Sequence, residues 1–205
     1  MEFLMRFLDE VPLMGIFISF AAFFLGIKFP DWDFKMKLKH RSILTHSPLI
    51  LLIFIRVYEQ DRSDNFRYFL MGFSLALALH FIYDLYPRGW GGGALIKIPI
   101  LKISCTPKMS KMILFFSIVI SILVAICYTE KLMEFYYLGI LGILTILKDT
   151  GKEEKLFRPM FSFSIFGLII GCMKYKELFS IIKDGSFSII KDGSFYIIDK
   201  ISMFF

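Results

Sequence analysis

The sequence predicts an all-α protein, an integral membrane bundle of about five or six helices. Of its 205 residues, 57% are hydrophobic and 20% are charged, whereas soluble domains are typically ~45–50% apolar and ~25% charged. The mean hydropathy is +0.66. This apolar excess excludes an intrinsically disordered chain, and the length favours one domain rather than two.

Six apolar stretches occur along the chain, at residues 11–27, 48–58, 66–86, 112–128, 135–147 and 159–173. A helix needs about 20 residues to cross a bilayer. The first, third and fourth stretches therefore suffice, whereas the second, fifth and sixth need tilt or flanking residues. Together they predict a membrane-embedded helical domain at residues 1–175, with its metal site within residues 28–90.

The C-terminal tail, residues 176–205, contains a tandem duplication. The octapeptide SIIKDGSF occupies residues 180–187 and again residues 188–195. An Asp-Gly pair between apolar flanks favours a tight turn, so a small β-hairpin is one expectation. The alternative is a recent duplication in a terminus that tolerates insertions. Neither interpretation assigns chemistry to the tail.

The distribution of charge predicts the orientation of the chain in an inner membrane. The formal net charge of +6 comes from 24 basic and 18 acidic residues, and residues 28–46 and 87–111 hold five basic residues each. The positive-inside rule places both loops on the cytoplasmic side. A surplus so small and dispersed does not indicate a nucleic-acid partner.

Six side chains that can bind a metal lie at the ends of predicted helices on this basic side. They are Asp31, Asp33, His40, His46, His80 and Asp84, and they include all three histidines. His80 and Asp84 are four residues apart, so they project from one helix face. His46 precedes a Ser-Pro pair that is typical of a helix start. Three separate segments are therefore expected to converge on one membrane face, where ionisable groups usually have a function.

Imidazole and carboxylate ligands together favour zinc, with manganese or iron as alternatives. Six ligands exceed the four of a tetrahedral zinc site, so one or two ions are expected. A metal pair can clamp the oxygens of a phosphoryl displacement. In this hypothesis Asp33 or Asp84 orients water or acts as general base. Arg41 holds the phosphate through its guanidinium fork, or alternatively only sets the topology.

The same motifs carry a resemblance to a known family. They are Pro30-Asp31-x-Asp33, His40-Arg41-x-x-x-Thr45-His46-Ser47 and His80-x-x-x-Asp84 followed by Pro87-x-Gly89. This pattern, over residues 15–100, resembles the predicted membrane-bound metal-dependent hydrolases, which include LexA-regulated inner-membrane hydrolases of bacteria. That family is distantly similar to zinc-dependent phospholipase C and P1-type nucleases. The resemblance implies a helical fold with clustered metals and the six residues above as its ligand set.

These observations predict a membrane-bound metal-dependent hydrolase that acts on a phosphoester, such as a phospholipid or a lipid-linked phosphate. The expected partner is thus a membrane lipid, and the oligomeric state stays open. One alternative is a divalent-metal transporter or sensor, although its ion path would need polar residues that the fourth to sixth stretches almost lack. Another alternative is a non-enzymatic membrane protein with a structural metal.

Overall fold

The computed structural model describes residues 11–33, 35–87, 89–99, 103–148 and 157–176. This part of the chain contains six α-helices, which confirms the predicted all-α class. They are α1 (Leu13–Lys28), α2 (Leu49–Asp61), α3 (Asp64–Leu85), α4 (Pro107–Cys127), α5 (Leu132–Lys148) and α6 (Phe157–Lys174). Two short strands, β1 (Lys97–Ile98) and β2 (Ile103–Ser104), pair antiparallel. The hairpin expected in the duplicated tail lies outside the described residues.

Helix α3 is the centre of the bundle. It packs mainly against α1 and α4, and it also contacts α2, α5 and α6. Between Tyr68 and His80 its sequence is almost entirely apolar, which is typical of a helix buried within a bundle. The Ser63 hydroxyl accepts a hydrogen bond from the Phe66 N–H and caps the first turn. Packing against the neighbouring helices along its length holds the C-terminal turns of α3, with His80 and Asp84, at one end of the bundle.

Two glycines let α1 and α3 approach each other closely. A Cβ atom at Gly72 would lie 1.9 Å from the Ser19 carbonyl oxygen, and one at Gly26 would lie 2.7 Å from the Phe73 carbonyl oxygen. Small residues at such crossings allow backbones to touch. The 3-10 helix Pro30–Asp33 follows α1 directly. The close crossing therefore sets where its two aspartates lie relative to His80.

The helices alternate in direction, so the ends of several of them meet at one end of the bundle. Tyr86, just after α3, lies with its hydroxyl 2.7 Å from that of Ser162, near the start of α6. The loop before α2 is joined to β1 at this end, because the Ile43 N–H donates to the Lys97 carbonyl oxygen at 2.9 Å. The Lys97 N–H donates in turn to the Arg41 carbonyl oxygen at 2.9 Å. These bonds hold the His40–His46 loop over the end of α3.

Three described helices are long and apolar enough to cross a membrane, namely α3, α4 and α6 with 22, 21 and 18 residues. The third and fourth apolar stretches are thus long enough to span a membrane, as predicted. The sixth stretch forms a longer helix than its apolar residues alone predict. Helix α1 is apolar but has 16 described residues. Helix α2 has 13 residues, or about 20 Å, which is shorter than a bilayer core of ~30 Å.

An ion pair that the sequence analysis did not identify joins α3 to α5 at the opposite end of the bundle. Arg67 and Glu134 are 4% and 0% exposed. The guanidinium donates to both carboxylate oxygens, at 2.8 and 3.0 Å. The Tyr68 hydroxyl and the Glu130 N–H also donate to Glu134, at 2.8 and 2.7 Å. Because the buried carboxylate is so fully hydrogen-bonded, we interpret this cluster as a structural link.

Candidate metal centre

Two imidazoles and one carboxylate meet at the site end of the bundle. His80 and Asp84 lie one turn apart near the end of α3, and His46 comes from the loop before α2. The Asp84 Oδ2 atom lies 3.2 Å from His46 Nε2 and 3.5 Å from His80 Nε2. One ligand atom from each residue lies within 4.8 Å of the other two. Donors that share a tetrahedral zinc ion at ~2.0 Å lie about 3.3 Å apart, so these three suit one ion.

In His46 and His80, Nδ1 is hydrogen-bonded, which leaves Nε2 free to act as the metal-binding atom. His80 Nδ1 lies 3.0 Å from the Ile27 carbonyl oxygen, which only accepts, so Nδ1 carries the proton. His46 Nδ1 lies 3.0 Å from the Thr45 hydroxyl oxygen, whose own proton is donated to Asp33. Such bonds fix the tautomer and the orientation of metal-binding histidines.

Asp33 lies behind His46 rather than in the group of three donors. Its carboxylate is fully buried and accepts from the Thr45 hydroxyl and from the Ser42 N–H, the latter at 3.1 Å. Its Oδ2 atom is 3.5 Å from His46 Nδ1. A carboxylate behind a histidine ligand orients the ring and makes it more basic. Asp33 was predicted to be a metal ligand, but the structure places it against Nδ1 of His46, on the side of the ring away from the donor atoms.

Arg41 was predicted to hold the phosphate through its guanidinium group. In the structure, this guanidinium instead binds Asp84. Nη2 donates to Asp84 Oδ1 at 2.7 Å, and Nη1 donates to the Ala94 carbonyl oxygen at 2.7 Å. These bonds turn Oδ2 of Asp84 toward the two histidines. Arg41 has a left-handed backbone, with φ of 60°. A non-glycine residue pays about 1–2 kcal/mol for this conformation, which the bonds to β1 and Asp84 offset.

The other two predicted ligands lie beside the group. Asp31 Oδ1 is 4.0 Å from His80 Nε2, and its side chain is 59% exposed. The His40 ring centroid is 6.1 Å from that of His46, and His40 is not among the three converging donors. The structure thus brings half of the predicted set together and surrounds it with the rest.

The donor group faces a cavity of about 590 Å³ whose lining includes Asp31, His80 and Asp84. The side chains of His80 and Asp84 are 15% and 14% exposed, so small molecules can reach them. Lys28 and Lys148, from the ends of α1 and α5, also line this cavity. Lys148 lies far along the chain from every motif, and no spacing signal in the sequence identifies it.

Two buried donor atoms support the binding of a cation. Within the described residues, His46 Nε2 and Asp84 Oδ2 are buried without a hydrogen bond of normal geometry. A buried polar atom left in this state typically costs about 1–3 kcal/mol. A divalent ion between the donors would remove that cost, so the residues present fit a metal.

The chain matches no protein-family model, no curated protein and no solved structure. The resemblance of its motifs to membrane-bound metal-dependent hydrolases therefore stays a prediction from sequence. The geometry of the three donors and the cavity beside them is the basis for a functional proposal.

Proposed function

We propose that the protein is a membrane-bound metal-dependent phosphoester hydrolase, with one ion held by His46, His80 and Asp84. The observation that carries this proposal is that two residues of the three-donor group, His80 and Asp84, line a cavity. Catalytic zinc sites commonly have three protein ligands and one open position, whereas structural sites have four protein ligands. Two imidazoles and a carboxylate suit zinc, and they also accommodate manganese or iron.

When bound, the ion supplies Lewis acidity and makes water a competent nucleophile near neutral pH. Asp33 and Arg41 act as positioning residues, since one orients His46 and the other orients Asp84. Asp31 is the exposed carboxylate on the cavity side of His80, and we assign it the proton of the attacking water. The water oxygen bonds to phosphorus while the P–O bond to the alcohol breaks. The leaving oxygen then takes the proton from Asp31, which regenerates the carboxylate and releases the alcohol.

The charges of the cavity favour a phosphoester over a neutral ester. Lys28 and Lys148 add two cationic groups to a lining that also holds His80 and Asp84. Lysine ammonium groups bind phosphate oxygens as point charges. A phosphate group in this cavity would therefore meet two cationic side chains, while Arg41 stays bound to Asp84.

Two observations favour hydrolysis over the alternative functions. A transporter needs polar groups along an ion path, but between Arg67 and His80 the buried side chains of α3 are apolar apart from Tyr68 and Ser74. A structural metal would be enclosed by protein, but His80 and Asp84 border an open cavity.

The test is hydrolysis of p-nitrophenyl phosphate and bis(p-nitrophenyl) phosphate by purified protein loaded with zinc, manganese or iron. Asp84→Asn removes the carboxylate ligand and should lower activity per folded molecule by about 10²-fold or more, since loss of a group that only orients a ligand already costs ~10–100-fold. The matched control is Asp61→Asn, which removes an exposed carboxylate at the far end of α2 and should keep wild-type activity. Folded, metal-loaded protein that hydrolyses neither substrate would contradict the proposal.

A further inference from the structure

A groove between α1 and α5 leads away from the metal centre. The 590 Å³ cavity beside His80 continues into a second cavity of about 460 Å³, and the two share Phe20, Leu141 and Leu144 in their linings. Among the described residues, those that line the second cavity belong to α1, from Leu13 onward, and to α5, from Tyr137 onward. Together they form one channel-like depression, which we call the α1–α5 groove.

The far part of the groove is apolar and open to the outside of the bundle. Phe17, Phe20 and Leu144 are 69%, 45% and 58% exposed. The two helices are joined where the Tyr137 hydroxyl lies 3.0 Å from the Ser19 hydroxyl. Large exposed apolar side chains on an apolar helix pair are typical of a lipid-facing surface, so this part of the groove suits hydrocarbon rather than water.

The near part of the groove is charged. Lys28 and Lys148 lie at the ends of α1 and α5, in the same lining as Asp31, His80 and Asp84. Arg41 pairs with Asp84, so the two ammonium groups exceed the one remaining carboxylate, Asp31, even before an ion adds positive charge. This part of the groove would therefore attract an anion, whereas the apolar walls beyond it exclude one. The groove therefore suits a molecule with an anionic headgroup at its charged end and an apolar tail along its apolar part.

The length of the groove matches one half of a bilayer. On α5 it extends from Tyr137 to Lys148, and eleven residue steps in a helix cover about 16 Å. Half of a typical hydrocarbon core is ~15 Å. A chain anchored at the charged end would thus run along the groove to about the middle of the membrane.

We propose that the α1–α5 groove binds the acyl chain of a lipid whose headgroup is a phosphate ester, with Lys28 and Lys148 contacting the phosphate. The lipid enters sideways from the membrane and presents its phosphorus to the metal centre. This inference deepens the proposed function and rests on it for the reaction that follows binding.

The binding arm of the test uses metal-free protein and native mass spectrometry with equal amounts of dioleoyl phosphatidic acid and dioleoyl phosphatidylcholine. We expect preferential retention of phosphatidic acid. The double variant Lys28→Gln/Lys148→Gln should lose that preference. Lys108→Gln, which removes a lysine at the same end of the bundle but outside the cavity lining, should keep it.

The activity arm compares kcat/KM for dioleoyl and dihexanoyl phosphatidic acid. Each buried methylene strengthens binding by up to about fourfold, so the ratio of long-chain to short-chain kcat/KM should fall about tenfold or more in Leu144→Trp, which fills the groove. Ile169→Trp, at a 55% exposed position on α6, is the matched control and should keep the wild-type ratio.

The outcomes separate this inference from the proposed function. If both lipids are hydrolysed and Leu144→Trp does not change the ratio of long-chain to short-chain kcat/KM, the groove proposal is overturned and the hydrolase proposal stands. Lysine-dependent retention of phosphatidic acid without any hydrolysis would support the groove and overturn the hydrolase. Neither retention nor hydrolysis would overturn both.

Discussion

Exchange of Arg41 for lysine tests whether this side chain positions a metal ligand or binds phosphate. The guanidinium makes three hydrogen bonds, at 2.7 Å to Asp84 Oδ1, 2.7 Å to the Ala94 carbonyl oxygen and 3.3 Å to the Asp84 carbonyl oxygen. Lysine keeps the charge, but its compact ammonium does not replace a planar fork. We therefore expect Arg41→Lys to lose at least part of this set and to leave Asp84 less ordered.

The expected magnitude follows from those contacts. Hydrogen bonds to charged groups contribute about 1.5–3 kcal/mol each. Only part of this free energy contributes to metal binding. Removal of a group that orients a metal ligand typically costs ~10–100-fold in metal affinity, or about 1.4–2.7 kcal/mol. The left-handed backbone at position 41 costs about the same for lysine as for arginine, so strain cancels in the comparison.

The assay is a zinc titration against a competing chelator, combined with kcat and KM for a soluble phosphoester at saturating zinc. Arg41→Lys should raise the zinc Kd by about 10–100-fold and leave KM near the wild-type value. Arg56→Lys is the matched control, because the Arg56 side chain is 79% exposed and, within the described residues, forms an ion pair with Glu59 alone. An unchanged zinc Kd together with a raised KM would refute the positioning role and support phosphate binding.

Three further predictions concern the fold and its orientation. Glu134→Ala leaves Arg67 buried without its partner and should lower the free energy of unfolding by about 3 kcal/mol, measured by denaturation in detergent; an unchanged stability would show that the pair is not a structural link. Gly72→Val places side-chain atoms against the Ser19 carbonyl oxygen and should lower both thermal stability and zinc affinity, and an unaffected variant would contradict the close crossing of α1 and α3. Cysteines introduced at Lys37 and Lys108 should be protected from an impermeant label in intact cells while one at Asp61 reacts, and opposite accessibility of the first two would refute the shared membrane face.

The sequence was sufficient to predict the helices and to predict that the metal-binding motifs meet at one end of the bundle. Apolar stretches predict the helices because the bilayer and the core both select apolar residues. The spacing of His80 and Asp84 places them on one face, and the helix directions bring His46 to the same end. These inferences need only periodicity and length.

The roles of individual side chains were not accessible in the same way. Spacing does not show that Asp33 faces the outer nitrogen of His46, because this depends on the path of the loop between them. Nor does it show that Arg41 turns its fork inward to Asp84, since both a bound carboxylate and a free phosphate suit arginine. Lys148 and the Arg67–Glu134 pair depend on how α5 packs, and no local pattern encodes that packing.

The central claim is that His46, His80 and Asp84 together hold one catalytic metal ion. The most direct measurement is the position of zinc in anomalous difference maps from crystals of the zinc-loaded protein. We predict one ion per chain, bound by Nε2 of both histidines and by the Asp84 carboxylate, with an open side toward the cavity. An ion held instead by Asp33 or His40, or no ion at these three residues, would contradict it.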